Sequence, residues 1–315
     1  MSLIEQAAKR LEQLRQAGVE LPDEPDKRTT GSSEFTISQP APPIPTEYLN
    51  SPRTQNPTTS GFVSAQTILD LEAISASGLL TPNAARSQLA DEFRVVKRPL
   101  IANAMGRGTT PVPNGNLIMV TSALPGEGKS FSAINLAISI AMELDNTVML
   151  VDADVARPSV LNMLGLPPAA GLLDVLEQNS VDISSVLLRT NIEKLSILPS
   201  GTPHPRATEL LASDTMIRLL DDMASRYSDR IIVFDSPPLL LTTEARVLAT
   251  HMGQIIIVVN AENTAQAAVK QAIATIESCP LKMMLLNQVR ASKTDGYGYG
   301  YGYGYGYGYG YEHEK

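Results

Sequence analysis

The feature that most restricts the fold is a repeated alternation between short apolar runs and helix-length amphipathic stretches. Leu117–Thr121, Val148–Val151, Leu195–Leu198, Ile231–Phe234, Ile255–Val259 and Met283–Leu286 read as such runs. Strands of this kind are covered on both faces, the condition of a parallel sheet between two helical layers. The spans 129–143, 206–227 and 262–277 supply helices between them. The expected fold is therefore α/β, a doubly wound and mostly parallel sheet with right-handed crossovers. Ligands of such sheets sit at the carboxyl ends of the strands.

This globular part is expected over residues 62–290, opened by helical stretches at 64–77 and 82–105. Before it, residues 1–18 place Leu3, Ile4, Ala7, Ala8, Leu11 and Leu14 on one helical face, with Gly18 as a stop. That face fits either its own domain or a partner or membrane surface. Residues 19–61, rich in Pro, Ser, Thr and Asn, read as a flexible linker. Residues 291–315 form a tail in which glycine and tyrosine alternate strictly from Gly296 to Tyr311 and which holds eight of the ten tyrosines. Glycine at every second position makes independent folding entropically costly, so the tail is expected to be solvent-exposed.

Composition narrows the function. A net charge of -8 over 315 residues argues against wholesale nucleic-acid coating, and no nucleic-acid partner is expected. Cys279 stands alone, which excludes an internal disulfide and suits buried packing better than reactivity. His204, His251 and His313 are isolated, without zinc-site spacing. No apolar run approaches the ~20 residues of a spanning helix. Glu5, Lys9, Arg10 and Glu12 interrupt any leader-like core, so the expected setting is cytosolic.

The chemistry is concentrated where Leu117–Ser130 passes from strand to glycine-rich turn to helix start. The stretch Pro125, Gly126, Glu127, Gly128, Lys129, Ser130 and Phe131 is the expected nucleotide contact. Backbone N–H groups of Gly126 to Ser130 would wrap a phosphate at the positive end of the following helix. Lys129 would reach the β- and γ-phosphates of ATP and the Ser130 hydroxyl would ligate Mg2+. The strict G-x-x-x-x-G-K-[ST] pattern places glycine at position 123, where this chain has Ala123. A small residue is tolerable there if the turn does not need positive φ.

Two further strands run into acids: Val148–Val151 into Asp152 and Asp154, followed by Arg157, and Ile231–Phe234 into Asp235. One such Asp is usually a turn or helix cap. Two of them beside a phosphate loop point to a metal–phosphate site built from Ser130, Asp152, Asp154 and Asp235. Lys129, Ser130 and Asp235 would hold the phosphates and metal, and Asp152 or Asp154 could accept a proton from an incoming phenol. Arg157 could steady the transferred group or pair with a carboxylate. Asn287, after the last strand, reads either as an adenine contact or as a turn residue.

Taken together, Ser122–Ser130, Val148–Pro158 and Ile231–Pro238 resemble Walker A, Walker A′ and Walker B of the bacterial tyrosine kinases, and the resemblance extends over residues 82–311. Within that family the chain is most similar to the cytoplasmic autokinases of exopolysaccharide loci, including exosortase-associated ones. The resemblance implies ATP-dependent phosphorylation in trans, within a ring of subunits, of Tyr297, Tyr299, Tyr301, Tyr303, Tyr305, Tyr307, Tyr309 and Tyr311. It also implies activation by a membrane-embedded polysaccharide chain-length (co-polymerase) protein, which would hold the chain peripherally at the inner face of the membrane. A cognate tyrosine phosphatase and control of polymer export complete the expectation. The family's oligomerisation helix carries Glu-x-x-Arg-x-x-Arg, matched here by Asp91, Arg94 and Lys97; lysine keeps the charge but not the bidentate fork. Two rivals remain at this point. One is a regulatory ATPase of the ParA/MinD type, whose signature lysine is replaced by Leu124. The other is a nucleotide-binding scaffold with an adhesive Tyr-Gly tail.

Overall fold

The computed structural model describes residues 65–84, 86–177, 181–226 and 229–290. The expected helix over 1–18, the linker and the tyrosine tail lie outside them. Two elements open the described region: helix α1 (Leu71–Ala76) and, after a 3-10 turn at Pro82–Ala84, helix α2 (Gln88–Ala104). Strand β1 (Leu117–Ser122), helix α3 (Lys129–Ala141) and strand β2 (Thr147–Asp152) follow. Short helices α4 (Val160–Met163), α5 (Leu172–Glu177) and α6 (Ile183–Val186) lead to strands β3 (Leu188–Arg189) and β4 (Leu195–Leu198). Helices α7 (Ala207–Leu211) and α8 (Asp214–Arg226) precede β5 (Arg230–Asp235), then α9 (Glu244–Ala249), β6 (Gln254–Asn260), α10 (Gln266–Ala274) and β7 (Leu281–Asn287).

The strands form one seven-stranded sheet in the order β3-β4-β2-β5-β1-β6-β7, parallel except for the β3–β4 pair. Alternation of side chains across the sheet explains the unbroken apolar runs. Along β1, Leu117 and Met119 enter one core with Phe234 and Ile257, while Ile118 and Val120 enter the other with Ile134, Ile138 and Leu150. A strand with helices on both sides has no wet face to fill with polar residues. Cys279 is packed in the first of these cores, and burial pushes its thiol above the ordinary range. Among the described residues no helix is long and apolar enough to cross a membrane.

Some helices are shorter than the periodicity predicts, for local reasons. The stretch expected over 64–77 begins only at Leu71, because Asp70 caps it by accepting from the N–H groups of Glu72 and Ala73; Gln66 instead bridges to Arg189 beside β3. The stretch at 82–105 breaks before Ser87, whose hydroxyl accepts from Ala90 N–H and starts α2 afresh. Residues 206–227 divide at Ser213, whose hydroxyl accepts from Met216 N–H. The two-residue β3 is too short to leave a pattern.

Of the three residues matched to the oligomerisation helix, Asp91 and Arg94 pair with one another on the outside of α2. Lys97 turns inward. Its side chain is buried, and its ammonium lies 2.7 Å from Glu143 Oε1 and donates to the Ser139 carbonyl near the end of α3. It joins two helices of one subunit and supplies the positive charge that a helix C-terminus favours. Lys97→Met should therefore destabilise the subunit by about 1–3 kcal/mol, read as a shift in denaturant midpoint. Asp91→Ala, on the exposed side of the same helix, should stay within about 0.5 kcal/mol.

Candidate active site

Parallel pairing brings the carboxyl ends of β1, β2 and β5 side by side, with Asp152 directly opposite Asp235 across the β2–β5 register. The turn between β1 and α3 closes over this edge. Gly126 and Gly128 have φ of 80° and 94°, the left-handed region that other residues resist. At Gly128 space is also short: an added Cβ would lie 2.0 Å from Asn287 Nδ2. Ala123 is fully buried in the core and is not among the described residues with positive φ, so glycine is not required there.

The turn is braced from behind. The Glu127 side chain is buried: Oε2 accepts from Leu124 N–H at 2.7 Å and Oε1 accepts from the Thr264 hydroxyl. Asn287 donates to the Glu127 carbonyl at 2.9 Å and Gln288 donates to the Gly126 carbonyl at 3.2 Å. With its carbonyls tied to β7's end, the turn leaves its N–H groups for an anion. Glu127 thus shapes the turn with its side chain, and Asn287 has its amide engaged there. Phe131 packs partly buried against the core beside α3, and its carbonyl accepts from Asn135.

On the inner side, Lys129 Nζ lies 2.7 Å from Asp154 Oδ2, 3.9 Å from Asp235 Oδ1 and 3.2 Å from Ser130 Oγ. Ser130 Oγ also accepts from the Ser159 hydroxyl at 2.8 Å. Asp154 Oδ1 accepts from Arg157 N–H at 3.1 Å, so both of its oxygens are engaged. Asp152 Oδ2 accepts from the N–H groups of Ser159 (3.1 Å) and Val160 (3.0 Å), and its Oδ1 has no hydrogen-bond partner. Neither oxygen of Asp235 has one. The Arg157 side chain is exposed and lines, with Pro125, Gly126, Lys129, Asp154 and Pro237, a cavity of about 360 Å³ beside the turn.

Burial pushes the Asp152 carboxyl up to about 6, against the pull of the Val160 and Ser159 N–H groups, with the charge of Asp154 adding to the rise. Burial likewise pushes Asp235 to about 7, despite the Lys129 charge. Unpartnered buried carboxylate oxygens are costly unless something positive meets them. Among the described residues no group of three or more His, Cys, Asp or Glu converges as an all-protein metal cage. One or two carboxylates and a hydroxyl suit a magnesium ion shared with phosphate oxygens and water, the usual arrangement for that ion. Asp152, Asp235 and Ser130 fit it. Asp154 is instead the counter-ion of Lys129 here.

The AAA domain family matches residues 115–288, more than half of the chain. Tyrosine-protein kinase YwqD of Bacillus subtilis is 33% identical over 182 residues, covering 57% of this chain and 75% of the relative. Among solved structures, the chimerical protein CapA2B2 aligns with a TM-score of 0.58 at 27% identity, over 73% of this chain and 95% of that one. The kinase domain of Escherichia coli tyrosine kinase ETK aligns with a TM-score of 0.52 at 28% identity, over 59% and 72%. The sheet and its phosphate-type turn thus define an AAA-domain nucleotide fold. Within it, this chain belongs to the family of bacterial tyrosine-protein kinases.

The raised Asp235 gives a testable sign. The native state keeps this proton to a higher pH than the unfolded chain, whose carboxyls titrate near about 4. It therefore binds more protons than the unfolded state between those values, and ligand-free stability falls as pH rises from about 4 to about 7. Asp235→Asn should raise the melting temperature at pH 8 by about 2–4 °C for each kcal/mol relieved, lessen the decline with pH, and abolish magnesium-dependent nucleotide binding. Calorimetry and nucleotide titration read the two effects separately.

Proposed function

We propose that this protein is an ATP- and magnesium-dependent tyrosine autokinase that phosphorylates Tyr297–Tyr311 of a neighbouring copy. The carrying observation is Lys129 held at 2.7 Å by Asp154, between Asp152 and Asp235 with their unpartnered oxygens. Phosphoryl transfer asks little covalent chemistry of a protein; it needs held phosphates, charge compensation and a proton acceptor. The turn's N–H groups and Lys129 bind the phosphates. Because phosphate oxygens compete with Asp154 for the lysine, nucleotide binding releases a carboxylate next to Asp152. Asp152 or Asp154, whichever stays free of tight metal contact, accepts the phenol proton. Bound magnesium would neutralise charge on the transferred phosphoryl group, held by Ser130, Asp235 and the other of those two carboxylates. Arg157, at the cavity mouth, steadies the incoming group.

The wider reading follows from the resemblance of the motifs. It comprises a ring of subunits, activation by a membrane-embedded polysaccharide chain-length protein, reversal by a phosphatase, and control of exopolysaccharide polymerisation from the inner face of the membrane. Against a ParA/MinD-type ATPase stands Leu124, which packs against the core and gives its N–H to Glu127, where that class carries a lysine.

Purified protein incubated with ATP and magnesium, with and without the activator's cytoplasmic segment, should carry phosphotyrosine within residues 297–311. Lys129→Met should reduce that label by about 100-fold or more. ATP hydrolysis without tyrosine label, activator present, would sink the kinase reading in favour of the ATPase.

A further inference from the structure

One edge of the sheet is left open. Strand β7 pairs only with β6 among the described residues, so its other side presents unpaired backbone N–H and C=O groups. Its two faces differ. Met283 and Leu285 pack against a core, whereas Met284 and Leu286 are 67% and 61% exposed, with Val289 beyond them at 63%. An open edge with an apolar stripe on one face is a ready site for an added strand.

The geometry points to an occupant within the same chain: we propose that the Tyr-Gly tail folds back and adds to β7 as an antiparallel strand. Strict alternation from Gly296 to Tyr311 puts every tyrosine of an extended strand on one face and every glycine on the other. Laid along β7, the tyrosines meet Met284 and Leu286, and the glycines fall opposite Met283 and Leu285. Aromatic–aliphatic cross-strand pairs of this kind stabilise sheets. After β7 the chain turns inward over the end of β6, with Gln288 at φ 58° and Arg290 3.2 Å from Glu262, so the tail must cross back past β7 to reach the open side. Residues 291–296 span up to roughly 20 Å when extended, enough to cross two strand spacings of about 4.8 Å each. The short connection also favours the tail's own edge over another copy's through high effective concentration. Because the pattern repeats every two residues, the tail can slip by pairs and keep its tyrosines on the same face.

Docked this way, Tyr297–Tyr303 lie along the subunit's own edge, and Tyr305–Tyr311 project past the far end of β7 toward other copies. Each added phosphate carries about -1.5 to -2 charges, which an apolar stripe does not accept, so modification expels the tail.

The deciding experiment uses the full chain without nucleotide, so it is independent of the kinase reading. Amide hydrogen exchange across β7 should be at least tenfold slower in the parent than in G298P/G302P/G306P, which breaks strand pairing but keeps all tyrosines. Met284→Lys with Leu286→Lys should give the same loss of protection. Equal exchange in parent and triple-proline variant would overturn the proposal. Protection that rises with protein concentration would assign the edge to a second copy, and protection arising only with an added activator segment would assign it to that partner; either overturns docking within the chain. Once ATP is supplied, Tyr305–Tyr311 should be labelled ahead of Tyr297–Tyr303, and simultaneous labelling would count against it.

Discussion

The Lys129 ammonium sits among three carboxylates that the ends of two neighbouring strands, β2 and β5, deliver to one edge of a parallel sheet, at 2.7 Å from Asp154 and 3.9 Å from Asp235. Asp152, Asp154 and Asp235 are all nearly inaccessible to water. Like charges so placed repel, and desolvation disfavours each of them. One lysine does not balance three acids. Burial and mutual repulsion push the Asp235 and Asp152 carboxyls upward, so in the ligand-free protein their charged forms are disfavoured. A metal-bound nucleotide would meet it differently, by bringing a cation to the bare oxygens and an anion to the lysine. The same imbalance would therefore underlie both affinity for such a ligand and instability without it.

The sheet makes this arrangement possible because its strands are parallel and in register, so that Asp152 stands opposite Asp235. Apolar packing on both faces fixes the strands. The phosphate turn is then shaped by a second layer of polar groups. Thr264 in the loop after β6, Asn287 at the end of β7 and Gln288 just beyond it set the course of residues 124–128. Such supporting contacts fix the direction of N–H groups that must face a ligand together.

How much of this was legible in the sequence depended on range. The six main strands, the turn and the strand-end acids are local patterns, each written within ten or so residues, and the structure has them where the pattern places them. Ala123 was readable as harmless, since only a positive φ would have demanded glycine, and it has none. What escaped depends on side chains meeting across the fold. Nothing near Ser159 announces that its hydroxyl reaches Ser130, and Thr264 is 137 residues from the glutamate it holds. Lys97 shows the same limit in a different way. Its spacing matched an exposed motif, but the helix faces α3 at that position, and a long aliphatic stem carried the charge into the contact. Helix lengths were overestimated where Asp70, Ser87 and Ser213 cap new starts, because periodicity runs through a cap without registering it.

The contact between Glu127 and Asn287 joins points 160 residues apart, through a carbonyl of the phosphate turn and an amide at the end of β7. Contacts of such separation form late, because closing the intervening chain costs entropy before any contact repays it. During synthesis the turn emerges long before its brace does. The phosphate cradle thus acquires its final shape only when β7 has joined the sheet, and a nascent chain lacking that strand holds the motif without the grip. Nucleotide binding, where this fold carries it, would in that sense report that the whole domain has been made.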